Sequence, residues 1–322
     1  MRDNLCRAAE VIFQKRQEES VMNATAVIRK KKRWWQSYAI WFILPAFVLY
    51  TLFVMIPTFN SIYLSFTSWD GISENVRYIG FDNFKEIWES PRVHNALTNT
   101  IIVAVALVLL ENVVALVLAI LVDQVRWFRN LFRSIFYFPV LMSGIIMGFI
   151  WMIILNYNFG VVNQLLDMTG LSAIKTDWLG NPDFALLSII LSTVWKASGY
   201  YMIIYLAGLQ GIPQELLEAA SIDGAGKWKQ FRHVTFPLLA GATTVCVMLS
   251  MINSLKLFDQ IAVMTNGGPG FATETLTYII YKVAFGEGRQ GFGTALAIVL
   301  FILILIISLI QIRLLRKREV EM

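Results

Sequence analysis

Few side chains in this sequence are placed to make or break a covalent bond. Its two histidines, His94 and His233, are separated by three long apolar runs, so they cannot share a metal ion or a proton relay. Cys6 lies in a basic segment and Cys246 inside an apolar run, which rules out the few-ångström approach of a disulfide. A phosphate-binding G-x-x-x-x-G-K-[ST] loop is absent, because Gly224-Ala-Gly-Lys227 and Gly286-Glu-Gly-Arg289 lack both the spacing and a following Ser or Thr. No catalytic residue, metal ligand or cofactor is therefore expected in this chain, and any ATP must be bound by another one. What remains is a set of polar groups inside apolar runs: Glu111, Lys196, Lys256 and Asp259. Each costs about 2.5–3.5 kcal/mol at the centre of a helix in lipid, so each should face protein or a water-filled path.

Those groups point to binding. Lys256 and Asp259 are three residues apart and can neutralise one another on one helix face. The functional alternative is a polar wall of a solute path. Asn253 and Ser254 extend that wall by one turn, and Ser198, Tyr200 and Tyr201 supply hydroxyls near Lys196. Sugars are held by planar hydrogen-bonding groups and by aromatic faces against their C–H surfaces, so this set suits a saccharide. Two lysines would also suit an acidic saccharide.

The elements that carry these residues are set by composition. Hydrophobic residues make up 57% of the 322 and charged residues 15%, against the ~45–50% and ~25% of soluble domains. The apolar residues fall into runs of roughly 20, the length that crosses a ~30 Å hydrocarbon layer as helix. The sequence predicts six such helices, at about 38–56, 98–122, 135–157, 186–210, 238–264 and 291–312. Backbone groups in lipid must be satisfied within the segment, and the runs lack the alternation of barrel strands, so the fold class is all-α, a polytopic membrane protein.

Basic residues set the topology, since positive flanks stay in the cytoplasm. Nineteen of the 27 lysines and arginines fall in segments assigned to the inside, among them Arg29 to Arg33, Arg126, Arg129, Arg133, Lys227, Lys229, Arg232 and Arg313 to Arg318. Six fall outside: Arg77, Lys85, Arg92, Lys175, Lys282 and Arg289. Both termini are then cytoplasmic. This placement accounts for the formal charge of +5 without nucleic acid as a partner. Residues 1–36 form a basic segment with no cleavage-site pattern, 37–315 the membrane domain and 316–322 a basic tail. The outer loop 58–97 is aromatic, with Trp69, Tyr78, Phe81, Phe84 and Trp88, and should fold as a small cap anchored at the interface.

Between the fourth and fifth spans the segment 211–237 reads as helix, turn, helix. Pro213 suits a first helical position, Glu215 and Glu218 favour a helix start, and Leu216, Leu217, Ala219 and Ala220 form a small apolar face. Gly224 and Gly226 interrupt it, and Lys227 to Thr235 can form a second helix before Pro237 opens the next span. An apolar face flanked by acidic residues fits a groove of another protein; the other reading is an amphipathic helix lying on lipid.

The spacing Glu218-Ala219-Ala220, three residues, Gly224, nine residues, Val234, one residue, Phe236-Pro237 resembles the EAA loop of permease subunits in binding-protein-dependent ABC importers. Val234 and Phe236 stand where Ile and Leu are commoner. Leu206 to Pro213, Ile222 to Gly226 and Thr265 to Pro269 resemble the carbohydrate-transporting branch, and the similarity runs from about 44 to 315. The resemblance implies a type I importer fold of six transmembrane helices in a bacterial cytoplasmic (inner) membrane. It implies four partners: a homologous second permease in a heterodimer, a dimer of ATP-binding subunits holding ATP and Mg, an extracytoplasmic solute-binding protein docking around Asn266 to Phe271, and a sugar. It also implies that Glu218, Ala219, Ala220, Asp223, Gly224 and Pro237 form the coupling helix gripped by the ATPase, and that the fourth and fifth spans line the path with Tyr201, Asn253, Ser254 and Lys256; the polar residues read above add Lys196, Tyr200 and Asp259, although in the family Lys196 recurs whatever the sugar, which fits a structural role. The rival readings are an ion-coupled secondary transporter, with Glu111, Lys196 and Asp259 as its relay, and a non-transporting membrane scaffold.

Overall fold

The computed structural model describes residues 41–125 and 127–316. The basic segment 1–36, the expected start of the first span at Tyr38, and the tail beyond Arg316 lie outside the described residues. The chain divides after Ser61 into two units. The first contains most of α1, Trp41–Leu64, a 24-residue helix of mean hydropathy 2.1. It runs eight residues past the predicted end at Ile56. Pro57 has no N–H to give to the preceding turn, but a π turn over Thr51–Met55 widens the helix just before it, and the Ile56 N–H bonds to the Thr51 carbonyl. The helix passes through its proline and does not stop at it.

The second unit is helical throughout its described residues except for turns and one isolated antiparallel bridge, Thr67 to Tyr78. Helix α2 spans Asp82–Glu89 and α3 spans Pro91–Gln124. The Ser90 hydroxyl accepts from the Val93 N–H, and Pro91 occupies the first turn, a start signal that puts the helix seven residues ahead of the predicted Thr98. The predicted loop 58–97 thereby shrinks to 65–90 and contains a helix of its own. The Asn83 amide donates to the Ser65 and Thr67 carbonyls, tying that cap together.

The predicted straight span 135–157 is a bent pair, α4 (Arg129–Leu141) and α5 (Gly144–Ile154), meeting at 97°. Ser143 caps α5 through the Ile146 N–H. Then follow α6 (Val161–Met168) and α7 (Pro182–Gln210), the latter capped by Asn181. Beyond the two cytoplasm-assigned helices α8 (Gln214–Ile222) and α9 (Lys227–Leu238) comes α10 (Ala240–Leu255), bent 68° from α9. The predicted span 238–264 ends early, because the chain breaks after Leu255 and restarts as α11 (Asp259–Met264). Helices α12 (Leu276–Gly286) and α13 (Gln290–Arg316) close the fold. Among the described residues, four helices are long and apolar enough to cross a membrane alone, and up to six crossings result when each bent pair counts as one.

Helix α3 pairs with α7 along its length and α10 packs on α3, while α11 lies on α5, and α12 and α10 lie on α13. Small residues permit the closest approach: Gly199 of α7 meets the Phe136 carbonyl of α4 where any Cβ would collide. A polar seam joins the inner helices. The Asn112 amide of α3 donates to the Val108 carbonyl and to Ser250 Oγ of α10, and its oxygen accepts from the Tyr205 hydroxyl of α7 at 2.8 Å.

Candidate functional site

Where α3, α7, α10 and α11 meet they line a partly open cavity of about 440 Å³. All seven residues predicted to line a solute path contribute to it: Lys196, Tyr200 and Tyr201 from α7, Asn253 and Ser254 from α10, Lys256 from the break after α10, and Asp259 from the start of α11. Glu111 of α3, read from sequence as a costly charge within a span and, in the rival reading, as part of an ion relay, joins them together with Gln260. Leu107, Val140, Ala197, Leu257 and Phe258 supply apolar wall. Within the cavity the Asn253 amide donates to the Tyr201 hydroxyl at 3.3 Å, Ser254 donates back to the Ser250 carbonyl, and Tyr200 and Tyr201 stand edge to face at 5.4 Å. Ser198 turns away and bonds the Val194 carbonyl.

The expected neutralisation of Lys256 by Asp259 on one helix face does not occur. Among the described residues no ion pair joins them. The reason is local: Lys256 terminates α10, Phe258 leaves the helical region at φ −132° and ψ −55°, and Asp259 opens a new helix, so the three-residue spacing no longer corresponds to one face. Asp259 instead lies against Gly144, the first residue of α5, whose missing side chain leaves room for the carboxylate. Break and bend together expose polar groups at a depth where a continuous helix would have shown one stripe.

Helices α7 and α10 run from this cavity to the segment 211–237. There Pro213 caps α8 from outside, one position before the predicted first helical residue. Glu218 and Ala219 are exposed and Ala220 is half-buried. The helix ends as the Ala225 N–H reaches the Ala220 carbonyl, with Gly224 at φ +76°, a left-handed conformation that only glycine adopts cheaply. The Gln230 amide ties the two helices together through Ser221 Oγ and the Ala225 carbonyl. The second helix differs from prediction: a π turn over Phe231–Thr235 precedes Pro237, which sits inside the helix, and the bend toward α10 comes at Leu239. Trp228 stacks on Phe231 at 5.7 Å and remains 71% exposed, and Ile222 is 86% exposed, so the loop presents apolar surface with no partner among the described residues.

At the opposite end sequence reasoning missed an ionic clamp. Glu274, fully buried, receives both arms of the Arg92 guanidinium at 2.7 and 2.8 Å and Lys282 at 3.3 Å, and Arg92 also reaches Glu287 at 2.9 Å. The Asn95 amide bonds the Phe271 carbonyl, and Asn99 bonds those of Ala272 and Glu274. Tyr278 donates to Asn266, which adopts φ +52°. The segment from Asn266 to Thr275 is thus pinned to α3 and α12. Nearby, Glu86 pairs with Arg289 at 2.6 Å and holds its guanidinium above the ordinary range. No sequence signal marked the long-range partners: Arg92 and Glu274 lie 182 residues apart in the chain, and Glu86 and Arg289 lie 203 apart.

A family model described as "Binding-protein-dependent transport system inner membrane component" matches residues 111–320. The chain is 40% identical over 281 residues to the probable starch degradation products transport system permease protein AmyD of Thermoanaerobacterium thermosulfurigenes, covering 87% of this chain and 94% of that one. It is 30% identical over 277 residues to the trehalose/maltose transport system permease protein MalF of Thermococcus litoralis, covering 86% and 93%. Among solved structures, a bacterial ABC transporter involved in the import of the acidic polysaccharide alginate contains a chain that superposes with a TM-score of 0.77 at 25% identity, over 90% of this chain and 98% of that one.

Proposed function

Because this chain belongs to the family of inner membrane components of binding-protein-dependent transport systems, we propose that it forms one half of the path for an oligosaccharide and is driven by a separate ATP-binding partner. The observation that carries the reading is the convergence of Lys196, Tyr200, Tyr201, Asn253, Ser254, Lys256 and Asp259 on one cavity whose two principal walls, α7 and α10, are joined by the exposed loop 211–237. A force on that loop acts directly on the cavity walls. Relatives named for starch degradation products and for trehalose or maltose, and a structural neighbour that imports alginate, support a saccharide as the cargo.

In this reading Glu218 and its alanine neighbours seat in a cleft of the ATPase, which holds ATP and Mg, and closure of an ATPase pair rocks α7 and α10 so that the cavity opens alternately to each side. A homologous second permease completes the path. A solute-binding protein docks on the pinned segment around Asn266 to Phe271, and both termini lie in the cytoplasm. The residues of this chain bind, orient and exclude; the hydrolytic step belongs to the partner.

The test is the composition and activity of the assembled complex. Gentle solubilisation followed by mass spectrometry should yield a second permease and two ATP-binding subunits, with ATP hydrolysis stimulated by the loaded receptor. Solute uptake by this chain alone under an ion gradient would overturn the proposal in favour of a secondary transporter.

A further inference from the structure

A second cavity, of about 450 Å³, lies where the chain after α5 meets the turn before α7 and the segment after α11. It shares no lining residue with the first and falls within the ~300–1,000 Å³ of small-molecule sites. Its frame is fixed from behind. Asn163 of α6, 2% exposed, donates to the Tyr157 and Thr176 carbonyls at 3.1 Å, and its oxygen accepts from Trp178 Nε1 at 2.9 Å, which ties two of the three walls together. On the third wall the Thr265 and Thr273 hydroxyls meet at 2.8 Å, and Thr273 donates to the Gly268 carbonyl. Asn156 Oδ1 accepts from the Asn158 and Phe159 N–H groups, and Asp177 Oδ1 from those of Leu179 and Gly180. Among the described residues, the Asn156 amide nitrogen, the Asn158 side chain and Asp177 Oδ2 are left without a partner, on a frame that loses little freedom when filled.

The lining suits a sugar. Tyr157 is 48% exposed, and Leu155, Leu179 and Met264 add apolar surface, so C–H faces and hydroxyls both find a place. Asp177 is the only charged residue of the lining, which favours an uncharged sugar. Position links this cavity to the first. Helices α5 and α11 lie side by side, with Gly144 against Asp259 and Gly148 against Val263, four residues further on in each. Asp259 lines the first cavity and Met264 the second, so the two lie at opposite ends of α11, about 8 Å apart along its axis. A chain-like solute longer than that rise can touch both. In the orientation proposed above the second cavity is the outer one, and it borders the segment on which the receptor docks. We infer that the outer cavity is a second saccharide subsite, which takes the leading end of an uncharged oligosaccharide from the receptor before the inner cavity does. The inference rests on the reading of the inner cavity as the translocation path.

Photo-cross-linking tests it on the assembled transporter in lipid nanodiscs, with maltotetraose carrying a diazirine at one end as the probe and peptide mapping by mass spectrometry as the readout. Cross-links should fall on residues 152–158 and 177–180 as well as on α7 and α10, and excess unlabelled maltotetraose should remove both sets. Tyr157→Ala combined with Asn158→Ala removes an exposed ring and an exposed amide while keeping the bond from Asn163 to the Tyr157 carbonyl. It should lower the outer set about tenfold relative to the inner set. Ala197→Trp, which crowds the inner cavity, should do the reverse. Copurification of the other subunits at wild-type yield confirms assembly, and if the double variant fails to assemble, Asn158→Ala alone decides. Cross-links confined to α7 and α10 would overturn the subsite and leave the path standing, whereas none at either place would remove both. An outer set that the double variant leaves unchanged would also overturn the inference; if that variant loses copurified receptor instead, the cavity belongs to the docking surface.

Discussion

At the scale of single residues, the inner helices are joined by polar groups that are satisfied among themselves. The Tyr205 hydroxyl, the Asn112 amide and Ser250 link three helices by two side-chain hydrogen bonds in an otherwise apolar setting. Tyr205→Phe removes one of these bonds and should destabilise the protein by about 1 kcal/mol. Asn112→Leu should cost more, about 2–3 kcal/mol, because it strands the Tyr205 hydroxyl among Ala115, Met202 and Leu206. Combining the two should cost less than their sum, since the phenyl ring that replaces Tyr205 needs no acceptor. Denaturation midpoints of the four proteins in one detergent give the cycle. A strictly additive result would mean that the hydroxyl finds another partner.

At the scale of elements, two of the prolines inside helices share one device. Both Pro57 and Pro237 are preceded by a π turn that ends two residues before them. An i→i+5 turn shifts the register, so the group that a proline cannot bond is re-satisfied locally. That device explains why proline was a poor guide to helix ends, whereas Ser90-Pro91 and Asn181-Pro182, with a capping oxygen, were good ones. The ionic clamp is the other device at this scale. Arg92→Ala leaves Glu274 buried with only Lys282 nearby and should cost about 3 kcal/mol, seen as faster hydrogen exchange across residues 266–275. Arg92→Leu combined with Glu274→Leu should recover much of that loss. Unchanged exchange in Arg92→Ala would show that Asn95 and Asn99 hold the segment alone.

At the scale of the whole molecule, the proposed transmission runs through the loop 211–237. Glu218→Arg reverses the charge on an exposed helix without touching the core, so this chain should still insert normally while its yield of copurified ATPase falls about tenfold. Gly224→Ala is the milder probe. Nothing lies within 4 Å of an added Cβ, so only the left-handed backbone is penalised, by about 1 kcal/mol, and coupling should weaken without loss of assembly. Receptor-stimulated ATP hydrolysis measures both. Normal hydrolysis and assembly in Glu218→Arg would remove the loop from the mechanism.

The all-α class and the number of crossings, six when each bent pair counts as one, were readable from the chain alone, because a ~30 Å apolar layer demands long uncharged runs and no other part of the sequence supplies them. The loop spacing from Glu218 to Pro237 was readable for a similar reason: caps, glycines and prolines act over a few residues, within reach of a linear reading. What tertiary structure alone decided were the 97° and 68° bends, the break that separates Lys256 from Asp259, the clamp on Glu274, and the placing of Glu111 in one cavity with two lysines. Each depends on groups from different helices competing for the same space, and periodicity along one helix carries no information about the helix that will face it.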